Sequence, residues 1–226
     1  MNDFYSDTKT KPSHAMLEYA LGRTFGDEQQ DEDPTTLELC ERVAHLLGKE
    51  SAVFLPSGTM CNEIAITVQT SPGDEIICGR SSHIINFEGG APAAMSGVMI
   101  HPLDGKYGQF TEEDVRQALR PESRYMPISR MLCAEQTANL GGGAVWQLEK
   151  LDSVAQVAKN SGLSTHLDGA RLLNACVKTG ISAAHYSREY DSCWIDFTKG
   201  LGAPMGAVLA GSAEFIQAAW RVKQRI

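Results

Sequence analysis

Asp168 and Lys199 each close a strand-like run in this 226-residue chain. Asp168 follows Ser164-Thr165-His166-Leu167 and opens Asp168-Gly169-Ala170-Arg171. Lys199 follows Trp194-Ile195-Asp196-Phe197-Thr198 and opens Gly200-Leu201-Gly202-Ala203-Pro204. An amine can form a Schiff base with an aldehyde, and an acid can keep an aromatic ring nitrogen protonated, which together are the needs of a pyridoxal phosphate site. Such a site also needs an anion cradle. The run Ala52-Val53-Phe54-Leu55-Pro56 leads into Ser57-Gly58-Thr59, and a strand, a Gly-hydroxyl turn and a helix start leave free backbone N–H groups pointing at a phosphate.

Other residues could assist. His83 follows the turn Gly79-Arg80-Ser81-Ser82; its imidazole could stack on a pyridine ring and exchange protons near neutral pH. His166 stands two residues before Asp168 and shares its face of a regular strand, although a buried, hydrogen-bonded histidine is the simpler reading. Arg171 could bond a cofactor oxygen or a neighbouring carboxylate. Plainer readings stand beside all of these. Lys199 could be a surface lysine, Asp168 the N-cap of a helix over 170–178, Ser57-Gly58-Thr59 an ordinary helix cap, and His83 structural.

The elements that must position these groups follow from periodicity. Up to about Pro34 the chain has no sustained period and reads as an arm, with one short helix near 15–22 and an acidic loop over 26–34, by default a solvated run. Thr35 or Thr36 then caps a helix with Leu39, Val43, Leu46 and Leu47 at helical spacing, ended by Gly48. Strand-like runs follow at 52–55, 75–78, 97–101, 130–134, 164–167, 192–197 and 207–210. Helical runs lie at 61–70, 111–119, 146–160, 170–178 and 214–226, the last without a Gly, Asn or Pro to close it. Alternating strands and helices predict an α/β three-layer sandwich with a mostly parallel sheet. Ligands of such sheets bind at the carboxyl ends of strands, where Asp168, Lys199 and Gly58-Thr59 all fall.

Composition bounds the rest. A chain of this length buries a full core, and 42% hydrophobic and 21% charged residues are ordinary for a globular enzyme. The net charge of −8 and the lack of a Lys/Arg stripe argue against a nucleic-acid partner. No apolar stretch is long enough to span a membrane, and the first residues do not read as a secretory signal. Cys40, Cys61, Cys78, Cys133, Cys176 and Cys193 are scattered, which points to reduced thiols and a cytoplasmic protein and gives no zinc-ligand spacing.

Together these segments resemble the low-specificity L-threonine aldolases, which have the aspartate-aminotransferase-like pyridoxal phosphate fold. The matching segments are Ser-Asp-Thr-Lys-Thr-Lys-Pro (6–12), Glu-Asp-Pro-Thr (32–35), Phe-Leu-Pro-Ser-Gly-Thr-Met (54–60), His-Leu-Asp-Gly-Ala-Arg-Leu (166–172) and Thr-Lys-Gly-Leu-Gly-Ala-Pro-Met-Gly (198–206). The resemblance implies a large domain over 35–226 preceded by the arm, 1–34, with no smaller C-terminal domain in this sequence. It implies that Lys199 bonds the cofactor, Asp168 holds its ring nitrogen, Ser57, Gly58 and Thr59 bind its phosphate, and Arg171 lies on the cofactor side. His83 would stack on the ring and serve as base, and Ser6 would contact the substrate carboxylate. The implied reaction splits threonine-like β-hydroxy-α-amino acids into glycine and an aldehyde, in threonine catabolism and glycine formation, by a homo-oligomer, a dimer or tetramer. No metal site is expected, since no oxygen cluster near Ser6–Thr10 is specific enough for one.

The sequence also departs from that family. Gln30 and Asp31 stand where the family usually has Tyr and Gly, and Ala138 replaces a histidine in Glu135-Gln136-Thr137-Ala138-Asn139. Three alternatives stand beside the aldolase: a truncated large domain that binds the cofactor poorly, another pyridoxal phosphate reaction such as β-elimination or transamination, and a silent subunit of an oligomer.

Overall fold

The computed structural model describes residues 3–226. The arm begins with a 3₁₀ turn, Asp7–Lys9, capped by Ser6, and continues into α1 (His14–Leu21), capped by Ser13 and burying none of its residues. Helix α2 (Pro34–Leu47) starts earlier than Thr35 or Thr36 would place it. Asp33 is the cap, accepting from the Thr36 N–H at 2.7 Å, and Pro34 takes the first helical position, where its missing N–H costs nothing. Gly48 ends the helix with φ +62°. The acidic loop is tied down rather than merely solvated: Glu28 pairs with Lys223 at 2.6 Å, and Gly26 donates to Asp33 at 3.0 Å.

The alternating part follows in order. Strand β1 (Ser51–Leu55) leads to α3 (Gly58–Gln69), β2 (Glu75–Gly79), the short α4 (His83–Asn86), β3 (Met99–Leu103), α5 (Glu112–Ala118) and β4 (Ser129–Glu135). Then come α6 (Leu148–Asn160), β5 (Ser164–Asp168), α7 (Leu172–Thr179), α8 (Ala183–Ser187), β6 (Ser192–Asp196), β7 (Ala207–Gly211) and α9 (Ala213–Lys223). Most bounds shift from the periodic reading by one to three residues, three of them as follows. β3 runs through Pro102, tolerated because β3 lies at the sheet edge and pairs only with β2. α7 begins at Leu172, not 170, because Asp168 Oδ1 takes the Ala170 N–H at 3.0 Å and folds 169–171 into a turn. Asp168 therefore does not cap a helix that starts at 170. α9 ends at Lys223.

The seven strands lie in the order β1-β7-β6-β5-β4-β2-β3, and only β7 runs against the others. Alternation along each strand builds two cores. Ile77, Leu132, Leu167, Cys193 and Val208 pack with Val43, Leu151 and Tyr186 on the side of α2, α6 and α8. Ile76, Met131, Cys133, Trp194 and Leu209 pack with Ile64, Ile216 and Ala219 on the side of α3 and α9. The result is a three-layer α/β sandwich. Its cysteines are unpaired, four of them buried. No helix of the described residues is long and apolar enough to cross a membrane.

Candidate active site

At the carboxyl ends of the strands lies a cavity of about 210 Å³, lined by Gly58, Thr59, His83, Glu135, Asp168 and Lys199 among others. Lysine, acid, helix start and imidazole thus meet in one place. A larger depression of about 1040 Å³ sits at the opposite end of the sheet against residues 119–129 and brings together no lysine, buried acid and imidazole among the described residues.

Asp168 is 2% exposed at the end of β5. Its Oδ1 accepts from Ala170 and its Oδ2 from the Asn62 Nδ2 at 3.0 Å. Lys199 lies three residues beyond the end of β6 with its side chain 12% exposed. Its Nζ donates to Oδ2 of Asp196, whose Oδ1 accepts from the Thr198 N–H at 2.7 Å and hydroxyl at 2.6 Å. The same Nζ stands 5.5 Å from the centre of the Trp194 ring, within cation–π range.

Ser57 caps α3, its Oγ accepting from the Met60 N–H at 3.3 Å. The N–H groups of Gly58 and Thr59 find no acceptor among the described residues. Gly58 is required by packing, since a methyl there would overlap the Trp194 ring. His83 donates its backbone N–H to Glu135 Oε2 at 2.8 Å, and its Nδ1 meets Glu88 Oε1 at 2.8 Å. The Glu88 bond raises the His83 pKa above the ordinary histidine value; burial opposes this, and the charges of Asp168 and Glu135 add to it. Glu135 itself is pushed up to about 7 by burial and by Asp168, against the lowering effect of the Asn139 N–H at 2.6 Å.

His166 takes the simpler of its two readings. It is buried, with Nδ1 on Ser192 Oγ at 2.8 Å and Nε2 on Asn62 Oδ1 at 3.0 Å. Arg171 takes a carboxylate: it forms a two-pronged ion pair with Asp7 of the arm, at 2.7 and 2.8 Å. The arm is fixed a second time where the Thr10 hydroxyl donates to the Lys199 carbonyl at 2.7 Å. Ser6 is not among the residues lining the cavity; its Oγ accepts from the N–H and hydroxyl of Thr8, which is. The sequence reading passed over Asn62, Glu88, Glu135 and Asp196. Glu135 and Asp196 carried the signal used for Asp168, a polar residue at the end of an apolar strand.

Pyridoxal phosphate suits this donor set: the two N–H groups without acceptors at the start of α3, a buried carboxylate and a lysine amine surround one cavity. The profile of a family described as beta-eliminating lyase matches residues 3–226. This chain belongs to that family. It is 36% identical over 230 residues to low-specificity L-threonine aldolase 1 of Arabidopsis thaliana, covering 99% of this chain and 64% of that protein. It is 35% identical to the low specificity L-threonine aldolase of Escherichia coli K12, covering 98% of this chain and 66% of that protein. The crystal structure of a putative L-allo-threonine aldolase from Listeria monocytogenes superposes with a TM-score of 0.78 at 27% identity, over 97% of this chain and 62% of that one. The chain spans between about half and two-thirds of the length of such curated relatives.

Proposed function

We propose that this chain carries the site of a pyridoxal phosphate-dependent aldolase that splits L-threonine, L-allo-threonine and similar β-hydroxy-α-amino acids into glycine and an aldehyde. The observation that carries this reading is the meeting of Lys199, Asp168, His83 and the start of α3 around one cavity. Pyridoxal phosphate, when bound, supplies a sink for the electron pair released as the Cα–Cβ bond breaks. Lys199 Nζ is the bonding amine, held beside the Asp196 carboxylate. Asp168, with Asn62 fixing its second oxygen, holds the ring nitrogen. Gly58 and Thr59 hold the phosphate, with Ser57 keeping the helix start in shape. His83 accepts the proton of the substrate β-hydroxyl, since a histidine near neutral pH is matched to that transfer. Arg171 and Asp7 fasten the arm beside the site.

The relatives named as L-threonine aldolases support the substrate class. The family description favours β-elimination as the second reading. We place the protein in the cytoplasm on its free thiols. We read it as a homo-oligomer because Leu17, Tyr19, Leu21 and Phe25 of the arm are exposed apolar residues in a segment with no core of its own. The test is to load the purified protein with pyridoxal phosphate and supply L-threonine. Glycine and acetaldehyde as products support the aldolase; ammonia and a keto acid instead would replace it with β-elimination.

A further inference from the structure

Four buried carboxylate oxygens have no hydrogen-bond partner among the described residues: Oδ1 of Asp152, away from the site, and, beside His83, Oε1 and Oε2 of Glu63 and Oε2 of Glu88. Glu63 is 1% exposed on α3, next to Asn62, and Glu88 is buried in the turn after α4. The two carboxyl groups lie against each other. A pair of like charges in a dry site cannot both ionise, so the pair holds one proton.

The donors around the pair decide where that proton sits. Glu88 Oε1 accepts from Asn62 Nδ2 at 2.6 Å and meets His83 Nδ1 at 2.8 Å. Nothing among the described residues donates to Glu63. Both donors fall on Glu88, so the charge rests there and the proton on Glu63. Burial first, and Glu88 second, push the Glu63 carboxyl up to about 8. Among the ionisable groups near Glu63 is the Cys133 thiol of β4. Glu88 also faces the buried thiols of Cys61 and Cys78, and through Asn62 it is joined to Asp168.

An ionised carboxylate only accepts hydrogen bonds, so His83 Nδ1 must be the donor. In the neutral ring this leaves Nε2 as the one basic atom, and Nε2 has no partner among the described residues. We propose that Glu88 is the positioning residue that holds His83 in its Nδ1–H tautomer with Nε2 as the base, and that Glu63 is the neutral acid that backs Glu88. The inference rests on the role given to His83 above, and adds the two residues that set its tautomer.

The test uses protein loaded with pyridoxal phosphate and labelled with ¹⁵N-histidine, with the His83 signals assigned by their loss in His83→Gln. Multiple-bond ¹⁵N–¹H spectra are expected to show the Nδ1–H tautomer in the neutral wild-type ring. In Glu88→Gln the tautomers should mix and the His83 pKa should fall, because an amide no longer insists on a donor or adds charge. In that variant kcat for L-threonine should drop about tenfold or more with KM changed less than about threefold, the split expected of a weakened base. Should Glu88→Gln not fold, the wild-type spectrum and infrared spectroscopy still decide. A protonated carboxyl C=O stretch should be present at pH 7 and lose the Glu63 component in Glu63→Gln, leaving only the part owed to Glu135. An Nε2–H His83 in the wild type, or no Glu63 component at pH 7, overturns the inference. Wild-type protein that fails to split threonine but shows the Nδ1–H tautomer defeats the aldolase reading alone; turnover with an Nε2–H His83 defeats this inference alone.

Discussion

The indole N–H of Trp194 donates to Oδ1 of Asn62 at 2.7 Å, and this decides which way the Asn62 amide points. An indole nitrogen can only donate, so Oδ1 faces Trp194 and Nδ2 faces the two carboxylates, Asp168 at 3.0 Å and Glu88 at 2.6 Å. The same Oδ1 faces His166 Nε2, so that nitrogen carries the proton, and His166 Nδ1 accepts from Ser192, which in turn accepts from Gln69. One side chain thus orders the acid of the site, the acid behind its imidazole and a buried histidine.

Replacing Asn62 by Leu keeps roughly the shape and removes the whole junction. Buried donors and acceptors left without partners cost about 1–3 kcal/mol each, and here the Trp194 N–H, the His166 N–H and an oxygen each of Asp168 and Glu88 are affected. We expect Asn62→Leu to lose at least about 3 kcal/mol of folding stability in urea titrations and to bind pyridoxal phosphate more weakly. Stability within about 0.5 kcal/mol of wild type, the range of a neutral surface change, would mean that the junction is not organised as described.

Gly58 and Trp194 form a second test pair. A Cβ at position 58 would overlap the far edge of the indole, which packs beneath the start of α3. Gly58→Ala should destabilise the chain by about 1–3 kcal/mol, as overpacking does, and weaken cofactor binding by displacing the N–H groups of 58 and 59. Combining it with Trp194→Leu, which removes the obstructing ring, should recover part of the loss at position 58. A double-mutant cycle with no coupling would show that the glycine is there for some other reason.

These relationships mark the limit of what the sequence made legible. The sheet and its helices were readable because strand alternation and helical spacing are local, and their ends moved by only a few residues. Asp168 and Lys199 were readable because a charged residue after an apolar strand is conspicuous. Glu135 ends β4 in the same way, and reading that rule evenly would have found it. Asn62 and Glu88 could not be found by any local rule, since their partners come from β5, β6 and α4, brought together only by the strand order. The cap of α2 was misplaced among Asp33, Thr35 and Thr36, which can all cap, and Pro34 settles it in favour of Asp33. Helix α8 was missed because five residues carry no measurable period.

The Lys199–Asp196 pair separates the holding of the amine from its bonding. Lys199→Ala should abolish the visible band of bound pyridoxal phosphate while the far-ultraviolet circular dichroism is kept, and should remove turnover. A visible band retained in that variant would assign the amine to another lysine. Asp196→Asn keeps the bonds from Thr198 to Oδ1 but takes the charge from beside Nζ. The pH at which the visible band changes should then move down, because the protonated nitrogen loses a nearby anion. An unmoved titration would show that Asp196 leaves the nitrogen once the cofactor is in place.

The pH dependence of folding gives a test that needs no cofactor. Burial holds His166 down to about 3, whereas in the unfolded chain it takes up its proton near the ordinary value of about 6.5. Between those values the unfolded state binds more protons, so stability is full above about pH 6.5 and falls as pH drops towards 3. Glu63, held at about 8, and Glu135, held at about 7, act in the opposite direction. Unfolded, they ionise near the ordinary carboxyl value of about 4.3; folded, they keep their protons, so each lowers stability as pH rises from there to its folded value. His83, raised by Glu88, adds to the same downward slope above about pH 6.5. The cofactor-free chain should therefore be most stable in mild acid, between about pH 4 and 5, and lose stability steadily to pH 8. Urea titrations at fixed protein concentration measure this, and Glu63→Gln should flatten the slope between pH 5 and 8 by about 1.4 kcal/mol per pH unit, the contribution of one proton. Wild-type stability that rises from pH 5 to 8 would mean that Glu63 and Glu135 are ionised in the folded chain.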